Sequence, residues 1–134
     1  MEIIYKLFET AKKARLNAYA PYSKYLVGAS VLAESGAVYA SCNVENISFP
    51  CGVCAEAGAI SAMVAAGERK LKAVLVVSEG KDLVYPCGAC LQRIAEFADA
   101  DTQIYLADTA QIRKTCRITD LLPHNFKASE LTDD

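Results

Sequence analysis

Histidine is nearly missing. His124 is the only one in 134 residues, so a zinc site built on two or three imidazoles of this chain is excluded. Long apolar runs are missing too. None approaches the roughly 18 residues a membrane-spanning helix needs. Basic residues are in no excess, with 14 Lys and Arg against 16 Asp and Glu. A nucleic-acid binder draws much of its affinity from neutralising phosphates, so this balance argues against one. Local clusters at Lys12, Lys13 and Arg15, at Arg69, Lys70 and Lys72, and at Arg113, Lys114 and Arg117 sit among acidic or polar neighbours and read as solvated faces. The opening stretch MEIIYKLFETAKKAR has early acidic residues and no small-residue cleavage site. It reads as mature structure rather than a signal peptide, which points to a cytoplasmic protein. With no internal repeat, low-complexity tract or linker, one domain is expected over residues 1–134.

What is present is a globular composition, 53% apolar and 22% charged. Ile3, Ile4, Leu7, Phe8, Ala11, Ala14 and Ala18 share one helical face, which predicts a helix over 2–18. Two β-rich runs, 26–33 and 37–44, flank Ser35-Gly36 and predict a hairpin. The stretch CAEAGAISAMVAAG predicts a helix that stops at Gly67. It has almost no polar face, so it belongs in a core or between subunits. AVLVVS (73–78) suits a central strand covered on both sides. A helix over 88–98, a strand over 102–108, a short strand near 114–118 and a helical turn in TDLLPHNF complete the pattern. Alternating helices and strands after residue 53 argue for an α/β layered sheet, with parallel pairs in its second half and the hairpin in its first.

Six cysteines occur, at 42, 51, 54, 87, 90 and 116. A disulfide framework needs a secreted context, so metal ligands and buried thiols are the better reading. Cys87 and Cys90 follow Pro86 at the start of a helix, where both can face one ion and the helix N-terminus favours their deprotonation. Two uses of the upstream pair Cys51 and Cys54 remain open. In one, all four cysteines close a structural zinc knot, although the 32 residues between Cys54 and Cys87 exceed the usual gap of about 15–20. In the other, Cys54-Ala55-Glu56 and Pro86-Cys87-x-x-Cys90 form the zinc deaminase pattern, with cysteine as the first ligand. Three protein ligands then leave the fourth position open to a water, the mark of a catalytic zinc. Glu56, two residues past Cys54, is placed to move protons without binding the metal. Cys51 becomes a bystander, and Cys42 and Cys116 act as small apolar core residues. His124 is an ordinary loop residue.

Taken together, APYSKYLVGASV, NVENISFP, CAEAGAI, PCGACLQ and LLPHNF resemble the small, homotetrameric type of cytidine deaminase, in order and spacing, over about residues 15–126. The resemblance implies a three-layer α/β/α sandwich with a mixed five-stranded sheet. It implies one zinc per subunit, held by Cys54, Cys87 and Cys90, with Glu56 as proton shuttle. It implies a free pyrimidine nucleoside as substrate, cytidine or 2′-deoxycytidine, and a homotetramer with active sites at subunit borders. By position, Asn43 and Glu45 would hold the ribose 3′-hydroxyl, Tyr25 would flank the pyrimidine, and Phe126 would cover the base in a neighbouring subunit's site. Two departures stand out. Ala57 occupies a position where many three-cysteine relatives carry Arg to offset thiolate charge, and Leu91 another where Arg is frequent. Three thiolates around Zn²⁺ leave one negative charge in excess, which makes a bound water less acidic. The candidate compensators are the two helix N-termini and a nearby cation such as Arg93. Retention of Asn43 and Glu45 favours an ordinary nucleoside over a modified aminopyrimidine nucleoside, and a four-cysteine structural module is the reading from another class.

Overall fold

The computed structural model describes residues 2–80, 82–128 and 131. Helix α1 spans Glu2–Arg15 and carries Glu2 in its first turn and Lys12, Lys13 and Arg15 in its last, which complements the helix dipole. It buries Leu7, Phe8 and Ala11. The helix stops three residues short of the sequence expectation. Leu16, Asn17 and Ala18 donate to carbonyls only three residues back, and the Tyr19 amide is captured by the Asn43 carbonyl at 3.0 Å. Tertiary pairing thus ends what periodicity alone would have extended.

Strands β1 (Val27–Ala33) and β2 (Val38–Cys42) form the expected antiparallel hairpin, turned at Gly36 with φ 98°. Helix α2 (Ala55–Ala65) ends as expected before Gly67, whose φ of 95° suits the left-handed cap. Strand β3 (Leu71–Ser78), helix α3 (Gly88–Phe97), strands β4 (Gln103–Ala107) and β5 (Ile112–Arg117) and the short α4 (Ile118–Leu121) follow.

The strands make one five-stranded mixed sheet in the order β2-β1-β3-β4-β5. Only β3 and β4 run parallel, with Leu75 opposite Tyr105. This corrects the expectation of several parallel pairs. The link from β4 to β5 is four residues long, and so short a connection can only reverse the chain. Successive β3 residues point to opposite faces. Ala73, Leu75 and Val77 pack with Leu7, Phe8 and Ala11 of α1. Val74 and Val76 pack with Ala59, Ile60 and Met63 of α2 and Leu91 and Ile94 of α3. The result is the three-layer α/β/α arrangement. Cys116 is buried in the second core as expected, but Cys42, at the end of edge strand β2, is only partly buried. An edge strand has one neighbour, so its last residue lacks full cover.

The contact of α1 with β1 is close enough to demand glycine. A Cβ on Gly28 would lie 2.1 Å from the Ala11 carbonyl oxygen and 2.8 Å from the Arg15 Cβ. The nearest atom is helix backbone and cannot rotate away. Gly28→Ala should therefore destabilise the fold by about 2–3 kcal/mol, read as a lower urea midpoint at unchanged slope. An unchanged midpoint would mean that α1 shifts without cost.

Candidate active site

The site lies where the starts of α2 and α3 converge, at the end of the sheet where β3 finishes and β1 begins. In open α/β sheets the crevice beyond the carboxyl ends of strands is the usual ligand site. Two isolated bridges deliver the chain there. Val44 pairs with Tyr19 on one side and with Val53 on the other, with Val44 N–H to Val53 carbonyl at 2.9 Å and the reverse bond at 2.8 Å. This pins the 43–53 loop directly before α2.

Cys54 is the N-cap of α2 and Cys87 the N-cap of α3, both in extended backbone. Neither uses its side chain to cap its helix. Both side chains therefore stay available to something other than their own helix. Cys90, one turn into α3, is buried. The Sγ atoms of Cys54 and Cys90 and a carboxylate oxygen of Glu56 lie within 4.8 Å of one another, a grouping able to hold a metal ion. The two sulfurs are in direct contact while their Cα atoms stand 7.6 Å apart. Disulfides usually bridge Cα separations of about 4.4–6.8 Å, and the backbone spacing here is wider. Cys87 is exposed on the rim. Together with Val27, Asn43, Val76, Val84, Tyr85 and Pro86, the three cysteines and Glu56 enclose a cavity of about 220 Å³. The Cys54 and Cys90 sulfurs beside the Glu56 carboxylate, with Cys87 on the wall of the same cavity but outside that grouping, are donors of the kind zinc takes. Cys51 sits outside this cavity in a 3₁₀ turn (Phe49–Cys51), exposed, with its thiol 3.6 Å from the Ser48 hydroxyl.

Glu56 is 5% exposed. Burial pushes its carboxyl above the usual carboxylate range, while its own backbone amide and the Arg93 guanidinium act the other way. The Arg93 Nη1 lies 3.5 Å from the Cys90 sulfur and 3.6 Å from the Cys54 sulfur. The sequence names Arg93 as a cation that could offset the thiolates, beside the two helix N-termini, and the structure puts it against two of the sulfurs.

The other predicted residues are placed unequally. Asn43 lines the cavity, and its amide staples β2 to β1: Oδ1 accepts from the Val27 amide at 2.9 Å and Nδ2 donates to the Tyr25 carbonyl at 2.8 Å. Glu45 lines a neighbouring pocket of about 440 Å³ with Tyr22, Ser23, Val44, Phe49 and Val53. Its carboxylate accepts from the Ser23 hydroxyl and from the Ser23 and Tyr22 amides, at 3.1 and 3.0 Å, which hold it below the usual range. Tyr25 is not among the lining residues of either pocket, and its hydroxyl is buried with no partner among the described residues. The Phe126 backbone is clamped on both sides by the Gln92 amide, at 2.9 and 3.2 Å, while the residue stays 60% exposed. Tyr85 was missed by sequence reasoning, although its place just before Pro86-Cys87 was a usable signal. It lines the cavity, and its hydroxyl accepts from Lys114 at 3.1 Å.

A family profile described as the cytidine and deoxycytidylate deaminase zinc-binding region matches residues 1–106. The chain belongs to that family. Among its relatives, a cytidine deaminase of Sporosarcina psychrophila is 42% identical over 127 residues, covering 95% of this chain and 93% of the relative. One of Halalkalibacterium halodurans is 39% identical over 127 residues, covering 95% and 96%. The crystal structure of a Burkholderia pseudomallei cytidine deaminase superposes with a TM-score of 0.84 at 39% identity, covering 91% of this chain and 98% of the other. That of Mycobacterium tuberculosis gives 0.80 at 33%, covering 92% and 97%. The protein is therefore an enzyme of the cytidine deaminase kind with a zinc-binding region, and its mixed sheet is that of the family. Among the described residues, no helix of this deaminase is long and apolar enough to cross a membrane.

Proposed function

We infer that this deaminase is a single-domain cytoplasmic enzyme that hydrolyses cytidine and 2′-deoxycytidine to the uridine nucleosides and ammonia, working as a homotetramer on free nucleoside. The convergence of the α2 and α3 N-termini on one cavity lined by Cys54, Cys87, Cys90 and the buried Glu56 carries this reading. Cys54, Cys87 and Cys90 would hold the zinc, which when bound lowers the pKa of a water and so supplies the nucleophile near neutral pH. Glu56 would take a proton from the attacking water and give it to the ring nitrogen, then take the proton of the new hydroxyl at C4 and give it to the amine, which leaves as ammonia. Its burial keeps bulk solvent from competing for those transfers. The cavity walls from Val27, Val76 and Val84 receive the flat pyrimidine, while Tyr85 and Asn43 supply polar edges.

Asn43 and Glu45 mark the sugar side. Asn43 keeps one N–H and one lone pair free of the staple, and Glu45 is ionised and held in place by three donors. Phe126 closes a neighbouring subunit's site, whereas Tyr25 lines neither pocket and is assigned no contact with the base. The large exposures of Phe49, Ile47 and Phe126 support subunit cover over this end of the molecule.

An ultraviolet assay with cytidine, deoxycytidine and free cytosine, run beside metal analysis, tests the reading. Both nucleosides should turn over, and cytosine, lacking the sugar hydroxyls, should show kcat/KM lower by roughly 10²-fold or more. Turnover of neither nucleoside by the zinc-loaded protein would overturn it.

A further inference from the structure

A site of three thiolates and one divalent cation carries a surplus negative charge, and a surplus charge inside a pocket must be met by something. The two helix N-termini contribute only partial charges. On the α2 side, the residue after Glu56 is Ala57 and brings no cation. The full positive charge comes from the other helix. The Arg93 Nη1 stands within 3.6 Å of both the Cys54 and the Cys90 sulfurs, and so bridges a ligand of α2 to a ligand of α3. No carboxylate forms an ion pair with this guanidinium among the described residues, although Glu96 lines the same groove. Ala57 lines that groove opposite Arg93. The small side chain on α2 leaves the room that the long one on α3 fills.

We propose that Arg93 is the charge-balancing residue of the metal site, a positioning residue that acts through the Cys54 and Cys90 sulfurs and takes the place of a cation on α2. The role rests on the zinc deaminase reading above. Arg93 donates to both sulfurs at once, so its positive charge sits directly against two of the ligands that would hold the metal. It also fixes the spacing of the two helix starts. The charge can in principle come from either helix, because residues 57 and 93 face the same groove.

The test uses the full-length protein and two readouts: the zinc dissociation constant by chelator competition, and kcat and KM for cytidine. Arg93→Met should weaken zinc binding by roughly 10–100-fold, the range typical of groups that support metal ligands, and lower kcat more than it raises KM. Arg93→Lys should recover part of both losses. Adding Ala57→Arg to Arg93→Met should recover most of the zinc affinity from the opposite helix. Zinc affinity within about 2-fold of the parent in Arg93→Met, below the span expected for such a supporting group, would overturn the role. So would a loss that neither Arg93→Lys nor the double variant recovers, because that pattern reports shape and not charge. A parent protein that neither binds zinc nor deaminates cytidine would instead remove the deaminase reading on which the role depends.

Discussion

Glu56→Gln should leave zinc stoichiometric and reduce cytidine turnover by roughly 10²–10⁴-fold, the contribution expected of a positioned proton-transfer group. Glutamine matches the shape of glutamate and keeps a carbonyl oxygen, so the buried pocket and the hydrogen bond from the backbone amide can survive. What it cannot do is take a proton and give it back. The expected signature is a collapse in kcat with little change in KM, because the loss falls on the transition state and not on substrate binding. Metal analysis separates two roles for this carboxylate. Its oxygen lies in the same 4.8 Å grouping as the Cys54 and Cys90 sulfurs, so a zinc ligand would betray itself by loss of metal. Turnover near the parent rate would contradict the shuttle.

The second large effect concerns the cysteines. Cys54→Ser, Cys87→Ser and Cys90→Ser should each cost more zinc affinity than the roughly 10–100-fold typical of supporting residues, since each removes a ligand outright, and each should abolish measurable turnover. Cys51→Ser should change neither metal content nor activity. The distinction is geometric. Cys54 and Cys87 cap helices whose starts meet, and Cys90 sits one turn further in. Cys51 is exposed in the preceding 3₁₀ turn, outside the cavity the other three line. Zinc content and kcat for the four single variants, measured side by side, check it. Metal lost with Cys51 would revive the closed four-thiolate module.

Much of this was legible in the sequence because the signals are local. The Ser35-Gly36 turn, the Gly67 stop, the doubly covered β3 run and the Pro86-Cys87-x-x-Cys90 helix start all depend on residues within a few positions of one another, and each stands where expected. Non-local choices were not legible. Whether β5 runs parallel to β4 depends on how the chain returns, and a four-residue link decides it. The end of α1 depends on Asn43, far along the chain, capturing Tyr19. The internal bonding of Glu45 depends on Ser23 and Tyr22 folding back over it. Arg93 is instructive for the same reason. Three residues past Cys90 it shares a helical face with that thiol, which the sequence suggests, but its reach to Cys54 on another helix appears only in three dimensions.

The most direct measurement is zinc-edge X-ray absorption on the purified protein. Three sulfur neighbours and one lighter atom around each zinc are expected, in agreement with an open position overseen by Glu56. Four sulfur neighbours would place Cys51 in the shell, close the site, and contradict the account.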